Sequence, residues 1–443
     1  DEGENWIKLF GRGSGTAARV RVMTVDIGGG TTDVSVVEYG DQHEGTGVDL
    51  QAQLLFRDSS SVAGDTLVRE IICRVLLPSI GAQIAHDPDQ VQTFDNLFSA
   101  PHQLSGEKAK WSRVVKLVFL PIIRQWLRDL SDGRYGSPDT SDSWSPDRIM
   151  GARGLPMVDE QALRELNDLF VAVGLPELMG YSTPIPYAED HLRQCIEDVF
   201  RPLVQSLAKY VAAYEVDLVT LSGKPSELPQ VKQILEDLLP ILPQRIIQAK
   251  NYPAGDWYPM TSDNRINDAK SVTAVGAALY QAIKNGQIEG WRITRVESEA
   301  EFRNFWGAMP NPKRNPSRFG KVYLTPDQDE ASDRMQIGTR IGRKLLPSAA
   351  KPEQVYRLRW RNPDKWAGHG LNAFLNVTLR RQTRERTDQV EGLELVAVDG
   401  DINGQPVSVD DLELQLCTLE GDEFWVDTGR FEVFWKTQAA NSW

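Results

Sequence analysis

Two aspartates, two threonines and three consecutive glycines fall within one short string, Asp26-Ile-Gly28-Gly29-Gly30-Thr31-Thr32-Asp33. Hard divalent cations take oxygen ligands and keep several waters, so Asp26 and Asp33 at the two ends of the string suit a hydrated Mg2+. Residues without a Cβ let the backbone take positive φ and turn N–H groups toward an anion, and the Thr31 and Thr32 hydroxyls add donors. The chemistry on offer is that of a phosphate loop with a cation beside it. The same residues also make a tight hairpin turn stabilised by its aspartates, and the string alone leaves both readings open.

The elements around the string must be strands. Val22 to Val25 and Val34 to Val37 are short, β-branched runs, so Asp26 to Asp33 joins them as a hairpin. Gln51 to Phe56 alternates as a third strand. Ser59 to Asp65 leads into a helix with Leu67, Val68, Ile71, Ile72, Val75 and Leu76 on one face, and Pro78 is expected to end it. A buried strand, Val216 to Leu221, runs into Ser222-Gly223-Lys224-Pro225-Ser226-Glu227-Leu228-Pro229 and then an amphipathic helix with Pro229 in its first turn. Such a strand, glycine turn and helix N-terminus is a place where a ligand meets backbone donors. A helix from Leu192 to Val211 carries Pro202, where a kink is expected. Arg245 to Lys250 reads as a further short strand, and Ser271 to Ala282 as a helix with a small-residue face around Gly276, closed by Asn285-Gly286.

Asp26 to Val36 resembles the second phosphate motif of the actin, DnaK-type chaperone and sugar kinase ATPase superfamily. The resemblance implies ATP and Mg2+ held in a cleft between two ribonuclease-H-like lobes. Asp26 would lie near the metal through water, Thr31 near the γ-phosphate, and Asp33 would be the second acid, with Gly28, Gly29, Gly30 and Thr32 completing the grip. Val62-Ala63-Gly64-Asp65 is similar to the turn by which that superfamily brings a helix N-terminus to the nucleotide; an ordinary helix start with Asp65 in the first turn reads equally from the residues. Glu107-Lys108-Ala109-Lys110 resembles the chaperones' adenosine-flanking E-x-A-K helix, while charged pairs three apart are also common on solvated helix faces. Gly223 and Pro229, with Ser226 between them, resemble the adenosine motif, but Lys224 stands where a second glycine is expected. It either crowds the purine or contacts the nucleotide. The helix around Gly276 is similar to the superfamily's second connecting motif at the hinge; a plain helix–helix contact is the alternative.

The remaining sequence bounds this reading. At 443 residues the chain calls for two or three domains. A net charge of −13 argues against a nucleic-acid coat or an anionic membrane surface as partner. The absence of a bilayer-length apolar run or signal-like start, with three widely spaced cysteines, points to a reducing, cytoplasmic setting. Residues 1–19, glycine-rich, read as a linker from a missing N-terminal region that would hold the first lobe. Residues 20–287 read as the second lobe of an actin-like ATPase, α/β in class, with a helical and loop insertion over about 111–190.

From residue 288 the character changes, and 288–443 reads as a separate β-rich sandwich or barrel. Expected strands include Arg318 to Leu324, Gln354 to Trp360, Leu371 to Leu379, Leu393 to Val398 and Phe424 to Val426. Residues 311–386 hold 17 Lys/Arg against 7 Asp/Glu, and 387–443 hold 2 against 13, which favours a self-complementary surface over a nucleic-acid patch. With Ile337-Gly-Thr-Arg-Ile-Gly-Arg-Lys-Leu-Leu-Pro347 and Tyr356-Arg-Leu, the whole looks like the C-terminal part of the SrfB-type bacterial virulence factors, which implies protein partners encoded by neighbouring genes. Two functions follow: an ATP-driven switch whose β-domain passes a change of closure to a partner, or an inactive actin-like scaffold serving as an interaction module.

Overall fold

Alternation along Arg19-Val-Arg-Val-Met-Thr-Val-Asp-Ile27 builds β1 (Arg19–Ile27), whose two faces do different work. It pairs antiparallel with β2 (Thr32–Asp41), which pairs antiparallel with β3 (Val48–Ser60), so Met23, Val36 and Phe56 stand in one buried row. On the opposite face Val20 and Val22 are apolar, and Thr24 and Asp26 further along are polar. The apolar end packs with Ile7, Ala18, Val48, Leu50 and Leu218. The stretch before β1 is therefore no free linker: Ile7 is 2 % exposed, and Arg12 pairs with Asp217 at 2.8 Å.

The computed structural model describes residues 7, 9–13, 18–41, 48–60, 62–99, 105–133, 143–144, 158–177, 185–186, 189–259, 261–262, 264–296, 303–309, 319–344, 353–366, 373–382, 392–402, 404–416 and 431–435. After β3 come α1 (Gly64–Ile71), a π-turn (Ile72–Leu76) and α2 (Leu77–Ile84) in one run. Pro78 does not end the helix as expected. The π-turn ahead of it, in which Leu77 N–H reaches back to Ile72 O, shifts the hydrogen-bond ladder so that a residue without N–H fits the next turn. The same device recurs. After α3 (Pro88–Ser99) and α4 (Ser105–Val114), a second π-turn (Val115–Phe119) precedes Pro121 in α5 (Leu120–Ser131), with Leu120 N–H donating to Val115 O. Phe94, Phe98, Trp111 and Phe119 make a ring-lined core with Phe170 of α6 (Glu160–Ala172). The helical part thus starts earlier than the expected 111. The expected loop from Ser131 to Gly154 lies largely outside the described residues.

The 25-residue helix α7 (Glu189–Ala213) runs through Pro202 and places Tyr210 and Tyr214 on Phe56. It is followed by β4 (Leu218–Ser222), α8 (Pro229–Leu238), β5 (Ile246–Gln248), α9 (Val272–Lys284) and β6 (Trp291–Val296). Parallel pairs β1–β4, β4–β5 and β3–β6 complete a mixed sheet in the order β6-β3-β2-β1-β4-β5. Helices α1, α7 and α8 pack together. The class is α/β.

Two compact units result, Asp1–Glu297 with Phe424–Trp443, and Ser298–Glu423. The boundary expected at 288 moves because Trp291–Val296 lies beside β3 as the sixth strand of the first sheet. The expected 288–443 domain also loses its end, since Phe431–Trp435 packs on the helices of the first unit.

In the second unit β7 (Phe305–Ala308), β8 (Lys321–Leu324), β10 (Arg340–Lys344), β11 (Glu353–Trp360) and β14 (Leu412–Leu416) form an antiparallel sheet in the order β8-β7-β10-β11-β14. A second sheet is β9 (Glu330–Gln336), β12 (Phe374–Arg381) and β13 (Leu393–Asp399). One core draws on both sheets, with Trp306, Ile341, Leu358 and Leu412 from the first and Met335, Val377, Leu379 and Leu393 from the second, which is a sandwich. Basic and acidic blocks do pair within it, as Arg359–Glu413 at 2.5 Å and Arg380–Glu394 at 3.3 Å. The strand expected at Phe424 to Val426 lies outside the described residues.

Candidate functional site

The hairpin ladder ends at Ile27 opposite Thr32, and Gly28 N–H donates to Thr31 O at 2.8 Å to close a loop over residues 28–31. None of Gly28, Gly29 and Gly30 takes a left-handed φ, contrary to expectation. What Gly28 supplies is room, because a Cβ there would sit 2.9 Å from Thr31 O. Gly29 and Gly30 are exposed, and among the described backbone hydrogen bonds their N–H groups donate none.

The loop is held from below by the start of α1. Gly64 N–H donates to Gly28 O at 3.0 Å and Asp65 N–H to Gly29 O at 2.7 Å, so two of the helix's unpaired N–H groups are satisfied by loop carbonyls. Through these two bonds the helix start expected near a nucleotide holds the 28–31 loop. A Cβ on Gly64 would meet Gly28 O and Pro225 Cγ, each at 3.2 Å. The Asp65 carboxylate remains exposed beside Gly29.

Asp26 and Asp33 stand directly opposite each other in the β1–β2 ladder, which puts two carboxylates on one face about 5 Å apart at Cβ. Like charges in that register repel, and a cation between them removes the cost. Thr31 Oγ1 donates to Asp33 Oδ2 at 3.2 Å. Thr273 Oγ1, from the first turn of α9, donates to Asp26 Oδ2 at 2.9 Å. Thr273 escaped the sequence reading, which took that helix for its small-residue face; a hydroxyl in the first turn after the Asp268 cap was the available signal. Among the described residues no group of three or more His, Cys, Asp or Glu side chains is placed to chelate a metal.

Three predicted ligands have other employment. Thr32 is fully buried and its hydroxyl donates to Val62 O at 2.7 Å, tying β2 to the segment before α1. Ser226, also fully buried, donates to Gly223 O at 2.7 Å and closes the turn after β4. Lys224 extends onto the buried Glu227 carboxylate at 2.6 Å instead of over the site. Glu227 was missed and is the centre of this turn. It also takes Lys250 at 3.2 Å and accepts Ala269 N–H at 3.2 Å, joining the turn to the entry of α9. Gly223, at φ +81, packs against Ile27 and Asp26. Lys110 is exposed on α4, which packs against α6 on the helical side and is not gathered with the loop in any described hydrogen bond; the Glu107 side chain lies outside the described residues.

Asp26, the 28–31 loop, Asp33, Gly64, Asp65, Gly223 and Thr273 are thus brought together at the carboxyl ends of parallel β1 and β4. The family model described as Virulence factor SrfB matches residues 3–432 of the chain. Among curated proteins none matches it.

Proposed function

The chain belongs to the SrfB virulence factor family, and from that premise we propose that it supplies the phosphate-binding half of an ATP-dependent switch. The observation that carries the reading is the meeting of three turns, the 28–31 loop, the start of α1 and the Gly223 turn, around Asp26 at the carboxyl ends of two parallel strands. Open α/β sheets take their ligands at such crevices. The order β3-β2-β1-β4-β5, with β2 antiparallel to both neighbours, supports a ribonuclease-H-like, actin-like lobe.

In this reading Gly29 and Gly30 N–H and the Thr31 hydroxyl bind the terminal phosphates, and Asp26 and Asp33 hold hydrated Mg2+. The donor set fits: Mg2+ is bound through one or two carboxylates plus phosphate rather than by an all-protein cage. When bound, the ion neutralises phosphate charge. Thr273 fixes the rotamer of Asp26, and Gly64 with Asp65 keeps the loop in place. Because Lys224 is turned onto Glu227, it leaves the purine side of the site clear. A Cβ on Gly276 of α9 would meet nothing within 4 Å, and Leu279 and Tyr280 beside it are exposed, which supports a further lobe packing on this helix.

The test is calorimetric titration of ATP with and without Mg2+ into this chain and into Gly29→Val. With one side of the ligand unenclosed, a Kd on the order of 0.1–1 mM is expected, with no turnover. Binding should require Mg2+ and fall at least about tenfold in the variant, since the added side chain occupies phosphate space on a loop whose backbone tolerates it. Undiminished binding by folded Gly29→Val, or the same affinity without Mg2+, would overturn the reading and leave the scaffold alternative.

A further inference from the structure

After the second unit the chain returns to the first, where Phe431–Trp435 lies on the helices and not in either sheet. Its backbone meets two carbonyls that the helices cannot satisfy. Phe431 N–H donates to Phe98 O at 2.8 Å, and Phe98, next to last in α3, belongs to the turn whose carbonyls have no helical partner. Phe434 N–H donates to Cys73 O at 3.0 Å. In an α-helix Cys73 O would take Leu77 N–H, but the π-turn gives that donor to Ile72 O. The π-type donor in its place would be Pro78, which has none.

The side chains are received as specifically. Phe431 is 1 % exposed and meets Phe119 edge-on at 6.3 Å. Trp435 meets Phe94 edge-on at 5.5 Å, and its Nε1–H donates to Asp95. Its six-membered ring lies on Gly81 of α2 so closely that a Cβ there would be 2.1 Å from Cη2. Two orphan carbonyls, one carboxylate and a glycine floor are thus met by one five-residue segment. We propose that α2, α3 and the π-turn before α2 form a receptor groove for a Phe-x-x-x-Trp peptide, and that the chain's own residues 431–435 occupy it as a latch. The groove does not depend on the nucleotide reading.

Cys73 reports on the latch, for it is 4 % exposed beneath the segment and burial pushes its thiol up to about 12. The experiment is thiol labelling of the full chain, resolved by peptide mass spectrometry, in wild type, Gly81→Ala and Trp435→Ala. Gly81→Ala adds one methyl group to a helix interior, where Ala is better than Gly by about 1 kcal/mol, so it fills the floor without weakening α2. Labelling of Cys73 should rise at least about tenfold in both variants while the buried Cys195 stays protected. A synthetic peptide of residues 429–437 should restore protection in Trp435→Ala and fail in Gly81→Ala, where the floor is filled. Unchanged labelling of Cys73 in both variants, or no protection of Trp435→Ala by millimolar peptide, overturns the groove. Should Gly81→Ala expose Cys195 as well, Trp435→Ala with and without peptide decides the matter alone.

Discussion

Replacing Gly223 by alanine tests how tightly the turn after β4 is built into the site. Gly223 has φ +81 and ψ 159, a region open essentially to glycine alone, and an L-residue held there costs about 1–3 kcal/mol. The new Cβ would stand 2.1 Å from Ile27 O, 2.6 Å from Ile27 C and 2.7 Å from Asp26 Oδ1. Two of those atoms are backbone in a buried strand, so the clash is relieved only by moving β1 or the turn, which adds roughly 1–3 kcal/mol. The sum, about 2–6 kcal/mol, is a large part of the 5–15 kcal/mol typical of a folded domain. At about 2–4 °C per kcal/mol for a unit of this size, the midpoint should fall by about 5–20 °C. Thermal unfolding followed by circular dichroism measures it, with Gly30→Ala as the control, because a Cβ there meets nothing within 4 Å. A Gly223→Ala midpoint within about 2 °C of wild type, or an equal fall in Gly30→Ala, would refute the placement of this turn against Asp26.

Three further outcomes are expected. Thr273→Val should leave the fold intact and weaken the Mg2+ dependence of ATP binding by removing the hydrogen bond that orients Asp26; an unchanged Mg2+ titration would show that Thr273 is a bystander. Burial holds the Asp95 carboxyl above its ordinary value despite donation from Trp435, so the folded chain binds that proton more tightly than the unfolded one. The associated stability is present below the unfolded value of 3.8 and is lost as pH rises through the folded one. Asp95→Asn should therefore gain stability relative to wild type across that rise, and a constant difference in melting midpoint would contradict it. Residues 298–423 expressed alone should fold, and salt should lower their melting point modestly, because pairs such as Arg359–Glu413 and Arg380–Glu394 are exposed to screening; an unfolded fragment would sink the division into units.

The strands were legible where alternation and β-branching coincide. The hairpin at Asp26 to Asp33, the strand before Ser222 and four of the strands of the sandwich lie where side-chain period places them. Reading failed where a local rule was overruled by a non-local one. Pro78 breaks an α-helix by rule, but two π-turns reset the ladder ahead of Pro78 and Pro121. Residues 1–19 looked like linker because Gly11, Gly13 and Gly15 stand close together, and the burial of Ile7 against Val20 and Val22 depends on a sheet face not visible locally. The return of Phe431–Trp435 across the whole second unit has no local signal at all. In the site, the hydroxyls of Thr32 and Ser226 fasten turns and Gly64 spaces the loop from α1, because a hydroxyl or a glycine in a loop serves the backbone as readily as a ligand.

The two faces of β1 explain why the candidate site sits where it does. Met23 and Val25 are buried on the face where Phe56, in register with Met23, meets Tyr210 of α7, and each of those positions must be apolar to keep the sheet covered. On the other face the row Val20, Val22, Thr24, Asp26 changes from apolar to polar, and only its first half is buried with Ile7 and Leu218. Thr24 carries the transition, with Thr220 Oγ1 of β4 donating to its hydroxyl at 3.2 Å. Beyond it a charged side chain at Asp26 escapes the desolvation cost that the same residue would meet two positions earlier. The carboxylate is therefore placed at the end of β1, next to Gly28, where the chain turns into the 28–31 loop that the start of α1 holds. Moving the acid to position 24 would put it over the Ile7 cluster's edge without the loop, at a cost in stability that the melting midpoint of Thr24→Asp would show.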